Sequence, residues 1–146
     1  MTLKTIGIMA LTALIAGCAP QQQLTKDQQA YLNRAMAHPI AFKLAKSDAE
    51  DAWGRANLYL AQNSSMKMQT ASDLLLDTFN PTAIGQFGYS ITRASIKDSV
   101  FFNVQCNGFH GENSWLSPPE KDENKNSHIL ALYIATGEID ASLVTK

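Results

Sequence analysis

The chain has 146 residues, of which 45% are hydrophobic and 17% charged, a composition that fits a globular domain and excludes a disordered chain. Its 12 basic and 13 acidic residues nearly balance, and the three arginines, Arg34, Arg55 and Arg93, are widely spread. Because nucleic-acid binding needs a concentrated basic surface, the charge distribution argues against nucleic acid as a partner.

The first residues have the pattern of a secretory signal peptide. Lys4 precedes an apolar run of about a dozen residues, which suits a signal peptide and falls short of the ~20 residues of a membrane-spanning helix. The run ends at residues 14–18, Leu-Ile-Ala-Gly-Cys, where a branched aliphatic residue and two small residues precede Cys18. This segment resembles the lipobox of bacterial lipoproteins, and the resemblance covers residues 1–18.

The resemblance implies removal of residues 1–17 and attachment of palmitate-type acyl chains to Cys18. Two or three acyl chains anchor a protein stably, whereas one alone is marginal. In this class, a residue other than aspartate after the cysteine implies transport to the outer membrane, and here Ala19 follows. The expected location is therefore the outer membrane, facing the periplasm. The mature chain keeps 11 basic and 13 acidic residues, a formal charge of −2.

Residues 18–24 are then the lipidated cysteine and a short polar tether, and residues 25–146 form a single globular domain. Thr25 and Gln28 have the spacing of a capping box, in which each side chain accepts a hydrogen bond from the other's backbone amide. They predict a first helix, which ends before Pro39 because the residue preceding a proline avoids helical conformation.

A second helix is predicted from Ser47 and Glu50, which have the spacing of another capping box. Its apolar residues recur at helical spacing, and Asp51 and Arg55 are placed to pair on its polar side. The polar residues 63–65 end it.

The middle of the chain alternates apolar and polar residues with a period of two. Such alternation predicts an antiparallel sheet with one buried face, here of three to four strands. The strands are expected within residues 66–79, 87–93 and 100–106, with a hairpin turn at residues 96–99.

The last of these strands carries Cys106. Its alternation places Cys106 on the same face as the apolar residues Val100, Phe102 and Val104. If Cys18 is lipidated, Cys106 has no disulfide partner within the chain. We therefore expect Cys106 to be buried, reduced and slow to react, and the alternative is that it pairs with a cysteine of another molecule.

Residues 107–126 show no periodicity and are predicted to be a loop that ends in a charged run, residues 120–125. A final helix is expected over residues 127–136, with Gly137 at its end. The predicted fold is α+β, with two N-terminal helices, the antiparallel sheet and one C-terminal helix.

The residues that could carry chemistry are few. Cys106 with His110 or His128 could form a thiol and its base, and His110, Glu112 and His128 could offer ligands to zinc. A core cysteine and solvated loop residues explain the same positions more simply. Paired carboxylates near residues 48–51 and 120–123 fit helix starts and exposed loops. We therefore expect no enzyme activity, metal or cofactor.

The loop at residues 107–126 is the strongest candidate for partner contact, because Phe109, Trp115 and Leu116 lie in it without a period that would bury them. The alternative is that Trp115 covers the sheet as a lid. The expected function is a lipid-anchored binding or assembly module with an envelope protein as its partner. The alternative is an inhibitor or immunity-type lipoprotein that blocks an envelope-acting enzyme.

Overall fold

The computed structural model describes residues 23–112, 115 and 118–146. It confirms the α+β class: within these residues, helices pack on an antiparallel sheet of five strands. The elements in chain order are α1 (Lys26–Ala37), β1 (Ala41–Ala45), α2 (Lys46–Asn63), β2 (Met68–Ala71), β3 (Leu75–Thr78), β4 (Phe87–Ile96), β5 (Ser99–Gly108), α3 (Glu120–Thr136) and a short 3-10 helix (Ala141–Leu143).

The strand order in the sheet is β1-β5-β4-β3-β2, and every neighbouring pair is antiparallel. The longest pairing is the β4–β5 hairpin, which runs in unbroken register from Ile96 opposite Ser99 to Phe87 opposite Gly108. Lys97 begins its two-residue turn with φ 53°, a conformation suited to the twist of tight hairpins. The hairpin predicted at residues 96–99 is confirmed.

The helices lie against one face of the sheet, the inner face. α2 and α3 pack on the strands, and α1 packs on α3. Phe102 is completely buried here, with its ring stacked on Phe42 at a centroid distance of 5.5 Å and 6.3 Å from Trp53. The other face, the outer face, carries partly or fully exposed side chains such as Phe101 and Asn103.

The N-terminal half differs from the prediction in its number of strands. β1 lies between the two N-terminal helices and pairs with β5, which makes a five-stranded sheet rather than one of three or four strands. Phe42 and Leu44 are the larger apolar residues of this five-residue strand. The alanines at positions 41 and 45 have low strand propensity. The alternation was therefore too weak to predict the strand.

The capping box predicted at the start of α2 is wrong. The helix begins at Lys46, directly after β1, and its N-cap residue Ala45 makes no side-chain capping bond. Lys46 N instead donates to Asp98 O of the β4–β5 turn at 3.3 Å, so a tertiary contact accompanies the change from strand to helix. The Ser47 hydroxyl, predicted to cap the helix, instead donates a hydrogen bond to the Asp48 carboxylate.

Two further expectations about the helices are corrected. α3 begins at Glu120 rather than residue 127, so the charged run forms its first turns. The expected pair of Asp51 and Arg55 is absent from the ion pairs of the described residues. Arg55 donates instead to Ile134 O in the last turn of α3, from Nε at 2.9 Å and Nη2 at 2.6 Å. A guanidinium is favoured there because the carboxyl end of a helix carries partial negative charge.

Candidate functional site

The site begins where β5 extends beyond β1. β1 pairs only with Ser99–Asn103, so the second half of β5 needs other partners for its backbone amides on that side. The side chains of α3 provide them: Cys106 N donates to Ser127 Oγ at 2.9 Å, and Gly108 N donates to Glu123 Oε1. Because an unpaired buried amide is costly, these two bonds stabilise the contact between β5 and α3 as far as Gly108, the last residue of the strand.

The loop that follows β5 is closed at its base. Gly108 lies so near Pro119 that there is no room for a Cβ at this position. The two ends of the segment between Gly108 and Pro119 therefore meet at the same place. Loops of six to sixteen residues whose ends meet in this way form a recognised class and are frequently functional.

A histidine adds to the closure of this loop. His110 Nε2 lies 2.7 Å from Glu123 Oε1, and its Nδ1 lies 3.8 Å from Glu120 Oε1. Glu123 thus contacts both the end of β5 and the first turn of the loop. We call Gly108, His110, Pro119 and Glu123 together the loop base.

The two described aromatic residues of the loop, Phe109 and Trp115, differ in exposure. Phe109 is half-buried, and its ring lies against Gly111, where an added Cβ would require the ring to shift. Trp115 is 74% exposed. The alternative that Trp115 covers the sheet therefore does not hold, and its indole is open to solvent. Leu116, the third residue expected at this site, and Cys18 both lie outside the described residues.

The structure does not bring the residues of the thiol and zinc hypotheses together. His110 is engaged by the glutamates of α3, and His128 Nδ1 lies 2.7 Å from His38 O. Cys106 is only 4% exposed and points to the inner face with Phe102 and its neighbours, as the alternation predicted. Among the residues that the structure describes, no three His, Cys, Asp or Glu side chains are grouped to hold a metal.

Burial raises the pKa of the Cys106 thiol to about 12. Because the thiolate is the reactive form, we predict that a water-soluble disulfide reagent modifies Cys106 roughly 100-fold or more slowly in the native protein than in urea. The rate is measured as the difference between the wild type and Cys106→Ser. Rapid native modification, or a covalent dimer on a non-reducing gel, would contradict the burial of this strand face.

The same pKa has a consequence for stability. The folded protein holds the thiol proton more tightly than the unfolded chain, in which the cysteine has a pKa of ~8.5. The protonated Cys106 thiol therefore makes a contribution to the free energy of unfolding that is fully present below pH ~8.5. This contribution is lost as the pH rises towards 12.

The sequence reasoning missed the loop base because it placed the start of α3 too late. Pro118 and Pro119 are followed by three acidic residues within the first turn, Glu120, Asp122 and Glu123. Proline near the first helical position and acidic residues in the first turn together indicate a helix start. That signal could have assigned Glu123 to a helix.

Comparison of the chain with protein-family models, with curated proteins and with solved structures gives no significant match in any of the three. Within residues 23–112, 115 and 118–146, none of the helices has the length and apolar character needed to cross a bilayer.

Proposed function

We propose that the chain is a lipid-anchored envelope protein, held through Cys18 on the periplasmic side of the outer membrane, whose domain binds a partner protein through the loop that carries Trp115. The anchor is supported by the lipobox-like residues 14–18. The observation that carries the binding role is the 74% exposure of Trp115. A tryptophan is costly to leave in water and is enriched among the residues that dominate protein interfaces.

The loop base supports this role because it limits the conformational freedom that binding would have to remove. The two ends of the loop are held together between β5 and α3, where Glu123 contacts Gly108 and His110. A contact residue on a fixed base loses less entropy on binding than one on a mobile segment.

Trp115→Ala tests the binding role. Truncation of an exposed side chain should change the free energy of unfolding by no more than about 0.5 kcal/mol. Loss of a central interface tryptophan should weaken partner binding by about 30-fold or more. The lipidated protein is used to capture its partner from envelope extracts, and the captured partner is titrated against wild type and variant. Thermal melting of both proteins is recorded alongside.

Leu74→Ala is the matched control, because Leu74 is 63% exposed and lies in the turn between β2 and β3, away from the loop in sequence. It should retain the partner. If Trp115→Ala melts much earlier than the wild type and still binds, the loop has an architectural role and the proposed contact is wrong.

A further inference from the structure

β1 forms an edge of the sheet to which no further strand of the described residues is added, and the hydrogen-bonding phase of this edge can be read from two backbone bonds. Val104 N donates to Ile40 O at 3.0 Å, and Lys46 N donates to Asp98 O at 3.3 Å. Bonding residues alternate along an antiparallel ladder, so the even-numbered residues of β1 face β5. The odd-numbered residues, Ala41, Lys43 and Ala45, direct their backbone groups away from the sheet.

These outward groups are free in the described part of the chain. The N–H and C=O of Ala41 and Lys43 and the N–H of Ala45 have no hydrogen-bond partner there, and all three residues are exposed. Exposed strand edges with unpaired backbone groups can accept an added strand.

The opposite edge of the sheet is less suitable. β2 is only four residues long, and its register shifts between Met68 and Thr70. Such a bulge bends an edge strand and interrupts its row of backbone groups. β1 instead pairs with β5 over five residues in unbroken register. The two edges therefore differ, and β1 is the one that retains a regular ladder.

The charge on β1 identifies the kind of strand that fits. Lys43 is its central residue, lies on the outer face opposite Phe101 and is in no ion pair with the described residues. Two copies of β1 paired about a two-fold axis in full register would set Lys43 against Lys43, which is unfavourable. The chain's own residues 1–22 contain no aspartate or glutamate to complement it. A second copy and the N-terminal segment are thus both disfavoured.

We propose that the outer edge of β1 binds an extended segment of a partner protein, added as a sixth strand, with an acidic residue opposite Lys43. Such a segment places apolar side chains beside Phe42 and Leu44 on the inner face and small or polar ones beside Ala41 and Ala45. None of the residues of this site belongs to the loop that carries Trp115.

The test uses a defined peptide, acetyl-Ser-Thr-Val-Glu-Val-Thr-Ser-amide, and a second peptide with lysine in place of glutamate. The full lipidated chain, labelled with ¹⁵N and held in detergent micelles, is titrated with each. The glutamate peptide should shift the amide resonances of Ala41, Lys43 and Ala45 saturably and slow their hydrogen exchange. It should bind about fivefold more tightly than the lysine peptide, as expected for exchanging an attractive cross-strand pair for a repulsive one.

Lys43→Glu should reverse this preference. Lys26→Glu makes the same change of charge at an exposed position in α1 and should leave the preference unchanged. An unaltered spectrum elsewhere in the chain shows that each variant is folded.

Three results would overturn the proposal. The first is equal affinity for the two peptides, and the second is a shift confined to β2 or to other surfaces. The third is protection of the Ala41 and Lys43 amides before peptide is added, since this means that the chain itself or a second copy occupies the edge. None of these results bears on partner capture through Trp115, so the failure of one proposal is distinguishable from the failure of the other.

Discussion

Cys18→Ser should abolish palmitate labelling of the protein and remove it from outer-membrane fractions. A serine hydroxyl cannot form the thioether through which a lipoprotein carries diacylglycerol. Each buried methylene of an acyl chain contributes about 0.8 kcal/mol to membrane binding, so loss of all the chains removes the anchor completely. The measurements are metabolic labelling with palmitate and separation of envelope membranes on a density gradient.

Two variants sharpen this experiment. Cys106→Ser removes the other cysteine of the chain and should keep the label, because Cys106 is buried in the domain. Ala19→Asp should keep the label but move the protein to the inner membrane, if the residue after the cysteine determines sorting. Labelling that survives in Cys18→Ser would show that the lipobox assignment is wrong.

Phe102→Ala should lower the free energy of unfolding by about 3–5 kcal/mol, the range measured for large aromatic residues truncated in protein cores. The side chain is completely buried, stacks on Phe42 and contacts Trp53. Its removal would leave a cavity between the sheet and α2 that neighbouring side chains can fill only in part. Urea unfolding of the mature chain, followed by tryptophan fluorescence, measures the loss.

Phe101→Ala is the matched control, since it removes the same side chain one residue earlier. Phe101 lies on the outer face between Lys43 and Ala94 and is only half-buried. Its truncation should cost about 1 kcal/mol or less, the scale of a cross-strand pair. Because a slip of one residue exchanges the two faces of a strand, similar losses from both variants would contradict the register of β5.

The features predicted correctly from sequence are those decided by neighbouring residues. Thr25 and Gln28 form their capping box because both partners lie within one turn, with Thr25 N to Gln28 Oε1 at 2.9 Å. Gly137 ends α3 with φ 82°, a conformation that glycine adopts without strain. The alternation of β5 placed Cys106 on the inner face in the same way, since the period of a strand is local.

The features that were missed depend on distant residues. Ser47 and Glu50 have the same spacing as the first pair, but α2 begins earlier, where Lys46 meets the β4–β5 turn. β1 exists because β5 pairs with it, and its own residues give little signal. For the candidate site, the lack of periodicity around Trp115 indicated an exposed loop. The acidic start of α3 could have assigned Glu123 to a helix, but its contacts with Gly108 and His110 could not be predicted, because they depend on how α3 packs against β5.

The position of β1 in the chain also affects when the domain can fold. Ala41 pairs with Asn103, and β2, β3 and β4 all lie between the two strands in sequence. A chain that emerges from the ribosome or the export machinery with its N-terminus first presents β1 long before β5, the strand with which it pairs, arrives. Closing so long a loop is slow compared with forming the β4–β5 hairpin. The early strand must therefore wait unpaired, which makes this interval the one in which a chaperone would matter most.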